Sequence, residues 1–184
     1  ISNKSDSLVT SPSYAGTSAY SYGGAIVNDG LISNINGNFY NNSSSSSASF
    51  YSESLGGAVS NMQEDSVIDK IAGNFSNNSS TASDALNSFA GGGAIYNAGT
   101  IGSSKGDFYK NAALSSGENS NAYGGALLNS VMAGKVEGNF VENYAKATGE
   151  NAVAYGGAIY NESLPLSYDT NMPLQPIEIN VVKI

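Results

Sequence analysis

Gly-Gly-Ala, an aliphatic residue, any residue and then asparagine: this six-residue pattern is written five times, and it restricts the possible folds more than any other feature of the chain. Its alanines, Ala25, Ala58, Ala94, Ala126 and Ala158, lie 33, 36, 32 and 32 residues apart. A second motif runs between them as GNFYNN, GNFSNN, GDFYKN and GNFVEN. Its phenylalanines, Phe39, Phe75, Phe108 and Phe140, follow the preceding alanine by 14, 17, 14 and 14 residues. A unit of this size cannot bury its apolar side alone, so repeated units must stack on one another.

The residue after each alanine is always aliphatic (Ile26, Val59, Ile95, Leu127, Ile159), whereas the next is unconstrained (Val27, Ser60, Tyr96, Leu128, Tyr160). That is one inward and one outward position of a strand. Asn28, Asn61, Asn97, Asn129 and Asn161 follow on the inward parity, where stacked amides can form a ladder and bond their own turn. No stretch keeps a helical period, and Gly, Asn and Ser are abundant, so short strands joined by turns remain. The expected fold is an all-β solenoid of parallel strands. The Phe residues fill a second interior layer whose turns are capped by Asn42, Asn78, Asn111 and Asn143. With two layers in each 32–36-residue repeat, the chain supplies roughly ten rungs and a rod of about 45–50 Å.

The repeats occupy residues 22–163, with Gly-Gly-Ala at 23–25, 56–58, 92–94, 124–126 and 156–158. Residues 1–21 are expected to be a degenerate rung or N-terminal cap. Residues 164–184, interrupted by proline, are expected to be a terminal rung or edge strand, with 177–184 alternating well enough for a strand. The segments SSSSSASFYSESL, SSTASDALNSFAG, AALSSGENSNAY and YAKATGENAVAY fall at one place in every repeat, so they are expected to form loops along one side. The SSSSS run at 43–47 reads as a flexible loop tip.

Missing residue types exclude much chemistry. There is no Cys, His, Trp or Arg, which removes disulfides, thiolate metal sites, thiol nucleophiles and the Ser-His-Asp triad. A formal net charge of −8 with lysine as the sole cation argues against nucleic acid, which needs clustered basic residues. No apolar run approaches the ~20 residues that span a bilayer, and the first residues lack a signal peptide's basic and apolar regions. The chain therefore reads as a piece of something longer whose targeting signals lie elsewhere.

Glu64, Asp65 and Asp69 are the best candidate for carboxylate chemistry or calcium, but they sit where one repeat is three residues longer, as a solvated bulge would. No catalytic residue, metal or cofactor is assigned. Tyr40, Tyr96, Tyr109 and Tyr160 take outward positions, and Tyr22, Tyr123 and Tyr155 directly precede the glycines. Exposed aromatics can stack on sugars or anchor a protein, although cross-rung stacking on a sheet face explains them as readily.

The alternation of GGA[ILV] with FxxN across residues 22–161 resembles the repeats of the polymorphic outer membrane proteins and, more broadly, adhesin-like autotransporter passengers. The resemblance implies a right-handed parallel β-helix displayed on the bacterial cell surface or released, carried through the outer membrane by a translocator that this sequence does not contain. The expected function is a non-enzymatic adhesin or structural stalk, making multivalent contacts with a host-cell receptor, glycan or matrix protein. A carbohydrate-active β-helix enzyme and a filament module that self-associates through its solenoid edges are the alternatives.

Overall fold

The computed structural model describes residues 4–8, 16–162 and 178–181. Among them every regular element is a strand, every pairing is parallel, and the chain winds as a β-solenoid of about four turns. Residues 163–177 and 182–184, and with them much of the expected terminal rung or edge strand, lie outside the described residues.

Each turn crosses three short faces. The first is built from Ile26–Asn28, Val59–Asn61, Ile95–Asn97, Leu127–Asn129 and Ile159–Asn161. The second stacks Leu31–Asn36, Val67–Ala72, Thr100–Lys105 and Met132–Gly138, and Glu178–Val181 adds a fifth strand to it. The third stacks the two-residue strands that begin at Phe39, Phe75, Phe108 and Phe140. Because Gly-Gly-Ala and Phe strands each pair only with their own kind one repeat away, one repeat makes one turn, and the expectation of two rungs per repeat is corrected. The pattern hid this because two apolar strands on different faces of one turn have the same spacing as two layers. A stack of five strands is about 20 Å deep, less than half of the expected rod.

The main core lies inside these three faces. Phe39, Phe75, Phe108 and Phe140 stack face to face with centroids 4.6–5.0 Å apart and ring planes within 6° of parallel, which is the rung spacing imposed on the rings. Beside them run the columns Ile26–Val59–Ile95–Leu127–Ile159 and Ile32–Ile68–Ile101–Ala133. The column Ile35–Ile71–Ser104–Val136 is interrupted by one serine. Two asparagine ladders edge the core. Asn28, Asn61, Asn97 and Asn129 each donate Nδ2 to the Oδ1 of the next, the ladder ending on Asn161, at 2.6–2.8 Å. Asn42, Asn78 and Asn111 do the same, ending on Asn143, at 2.8–2.9 Å.

The segments expected to be loops are instead strands of an eight-stranded sheet that folds back on itself as a fin. In one turn Ser43–Ser47 runs outward and Tyr51–Leu55 returns; in the next two, single strands, Ser79–Gly91 and Ala112–Tyr123, make both journeys. Lys4–Leu8 and Ser18–Tyr22 supply the first rung of the fin. The SSSSS run is therefore a strand, with Ser44 and Ser46 fully buried. Every inward position between the walls is small: the columns are Ser44–Ser80–Ala113–Ala145, Ser46–Ala82–Ser115–Ala147, Ala19–Ser52–Ser88–Ser120 and Ser21–Ser54–Ala90–Ala122–Ala154.

The paired glycines make the neck of the fin. The first of each pair takes a left-handed φ of 52–68°. In the first four pairs a side chain on the second would meet backbone on two sides: at Gly57 these are the carbonyl of Gly93 and the backbone of Ser79. Only glycine allows main chains to approach this closely, so the motif pinches the solenoid into a large apolar core and a thin Ser/Ala one.

Candidate binding cleft

The return wall of the fin meets the Gly-Gly-Ala face at an angle, and the outward side chains of both line a cleft of about 440 Å³. Period-2 alternation puts them there. In the fin wall the serines point inward, so Tyr51, Glu53, Leu55 and Phe89 point out; on the other face Tyr96 and Leu128 occupy the unconstrained motif position. Gly91 leaves room in the floor for Leu128. It interrupts a column that otherwise reads Tyr22–Leu55–Gly91–Tyr123–Tyr155, and the space a side chain would need there is filled by Leu128, which is buried.

Three carboxylates, Glu53, Glu64 and Glu162, line the cleft together with the rings, and among the described residues no lysine does. Glu53 is held in place: Tyr22 Oη donates to its Oε1 at 2.7 Å and Tyr51 Oη to its Oε2 at 2.6 Å. Burial first, and then these hydrogen bonds to a carboxylate, push both phenols well above the ordinary tyrosine range. Tyr96 is raised by burial and by the charges of Glu53 and Glu162, so two acids from distant parts of the sequence bear on one ring. Beyond Tyr96 the aromatic surface continues as Tyr123 stacked on Tyr160 at 4.8 Å and on Tyr155 at 5.7 Å. Flat rings beside fixed carboxylates suit a ligand that has apolar faces and hydrogen-bond donors or positive charge.

Of the tyrosines singled out from the sequence, Tyr96 lines the cleft and Tyr160 stands at its edge against Tyr123. Tyr40 and Tyr109 lie elsewhere, exposed on the Phe face in the column Tyr40–Ser76–Tyr109–Val141, where Lys110 Nζ sits 4.8 Å over the Tyr109 ring. The asparagine and phenylalanine ladders are structural: Phe39, Phe75, Phe108, Asn61, Asn97, Asn42, Asn78 and Asn111 are wholly buried.

Glu64, Asp65 and Asp69 do not form one cluster. Glu64 lines the cleft, Asp65 lies in the adjoining turn and Asp69 is exposed on the second face. Among the described residues no three acidic side chains converge as a metal site would require. Tyr51, Glu53, Phe89 and Glu162 were not singled out, although one signal could have found the first three: serine or alanine at every second position of the supposed loops marks the inward parity and so the outward one. A second, more open hollow at the fin tip, beside Asp84 and Glu118, brings no aromatic ring to its carboxylates.

Fold and cleft together define a finned parallel β-solenoid with an aromatic and acidic groove. Compared with protein-family models, curated proteins and solved structures, the chain matches none.

Proposed function

We propose that this chain is a non-enzymatic binding segment of a bacterial surface passenger, in which the solenoid acts as spacer and the cleft at the base of the fin makes the specific contact. The observation that carries the reading is the cleft, where Tyr51, Phe89 and Tyr96 face solvent around Glu53 on strands held rigid by core columns on both sides. Aromatic anchors in a concave, pre-formed setting are what binding surfaces use to concentrate affinity. The alternation of GGA[ILV] with FxxN supports the autotransporter-like placement, with display at the cell surface or outside it. The fin strands replace the loops as the one-sided feature, and several copies displayed together would gain by avidity.

The test is binding of the labelled segment to host cells and to arrayed glycans and matrix proteins, beside a Phe89→Ala/Tyr96→Ala double variant with an unchanged circular dichroism spectrum. Saturable binding that the double variant loses supports the cleft. Binding that both proteins share places the contact elsewhere, and binding by neither leaves the segment a stalk.

A further inference from the structure

Resting on the binding reading above, we infer that the cleft takes an extended peptide segment carrying lysine or arginine, laid along the solenoid axis. Charge complementarity favours this occupant: among the described residues the lining holds Glu53, Glu64 and Glu162 and no cation, while the rings offer faces on which aliphatic stems and cationic heads both sit well. A neutral sugar would cover these carboxylates without neutralising them.

Spacing favours a peptide over a small cation. The strand of Glu53 pairs with Ser79–Gly91, which pairs with Ala112–Tyr123, which in turn pairs with Val153–Tyr155, and Glu162 follows Ile159–Asn161, which stacks three rungs from Val59–Asn61. Three rungs are about 14 Å, a distance that an extended chain covers in about four residues. Two cations four residues apart match that three-rung offset along the axis better than one ammonium group does. Tyr96, on which both carboxylates act, lies between them.

The probe is a fluorescent Gly/Ser peptide with two lysines four residues apart, titrated by anisotropy beside the same peptide with two glutamates and beside a neutral oligosaccharide. The lysine peptide is expected to bind saturably. Its affinity is expected to fall about tenfold in Glu162→Gln and in Glu53→Gln, and to weaken with salt. Asp69→Asn, which removes an equal charge on another face, is expected to change it by less than about twofold. Glu162 is exposed, so Glu162→Gln decides the matter if Glu53→Gln folds poorly.

Equal weakening by Asp69→Asn would reduce the effect to net charge and overturn the inference. If the oligosaccharide binds instead, and Tyr96→Ala abolishes that binding while Glu162→Gln does not, the basic-peptide inference falls and the cleft stands. If no probe binds and the Phe89→Ala/Tyr96→Ala protein behaves like the parent on every surface, both readings fall.

Discussion

The hydroxyls of Ser44 and Ser54 lie 2.7 Å apart across the fin, and Ser54 Oγ also reaches the carbonyl oxygen of Ser44 at 2.9 Å. Two serines can touch only if the walls stand much closer than the ~10 Å usual for stacked sheets. A larger residue must therefore wedge the walls apart. Ser54→Leu is expected to cost about 3 kcal/mol, at the upper end of overpacking penalties. Ser54→Ala removes hydrogen bonds but keeps the volume, at about 1 kcal/mol. Urea titration of both variants checks the order, and a leucine variant as stable as the alanine one would refute the narrow fin.

Ser104 stands between Ile71 and Val136 in an otherwise aliphatic column, buried, with its hydroxyl unpartnered. An unsatisfied buried polar atom costs about 1–3 kcal/mol. Ser104→Val supplies the missing methyl groups and removes that cost, so it is expected to stabilise the protein by about 1–2 kcal/mol. Differential scanning calorimetry would register a higher melting temperature; an unchanged or lower one would mean that the hydroxyl has a partner or that the column has no room.

The solenoid was legible because its cues are large and periodic: Ile95 and Phe108 recur at fixed offsets with their glycines and asparagines. The number of rungs was not, since spacing alone cannot tell two strands on successive layers from two on different faces of one turn. The fin escaped because its core residues, such as Ser46 and Ala82, carry no hydrophobic signal, and burial of serine depends on a partner that sequence does not display. The cleft escaped with it. Tyr96 could be placed on an outward parity, but its neighbours Tyr51 and Phe89 become visible only once the serines are known to point inward.

Asn97 illustrates why the ladder position tolerates so little. Its Nδ2 donates to Asn129 Oδ1 at 2.6 Å and to the carbonyls of Gly99 and Met132, while its Oδ1 accepts from Asn61 at 2.7 Å. Asp has the same shape without the donors, and at neutral pH it places a charge among acceptors in a fully buried site. Asn97→Asp is expected to lose about 3–5 kcal/mol at pH 7. Burial raises the folded-state pKa of such a carboxyl, so stability relative to the parent is retained at low pH and lost as pH rises past the unfolded value near 4. Melting temperatures of the pair between pH 3 and 7 test this; a constant difference would show that the site admits water.

Tyr22 and Tyr51 both donate to Glu53, and burial together with that carboxylate keeps them protonated far into the alkaline range. Tyr96 and Tyr123 shift the same way, burial again leading. In the unfolded chain all four titrate near 10. Above that pH the unfolded state releases protons that the folded state keeps, so the stability these phenols contribute is complete below pH ~10 and declines as pH rises further. Tyr22 and Tyr51 are expected to remain unionised in the folded protein at pH 11, and to ionise when it unfolds. Absorbance at about 295 nm, which follows phenolate, and circular dichroism over one pH titration separate the two events. Glu53→Gln is expected to bring Tyr22 and Tyr51 down toward ordinary titration; if the late-ionising fraction is unchanged in that variant, burial alone sets it and the carboxylate is not the anchor of the cleft.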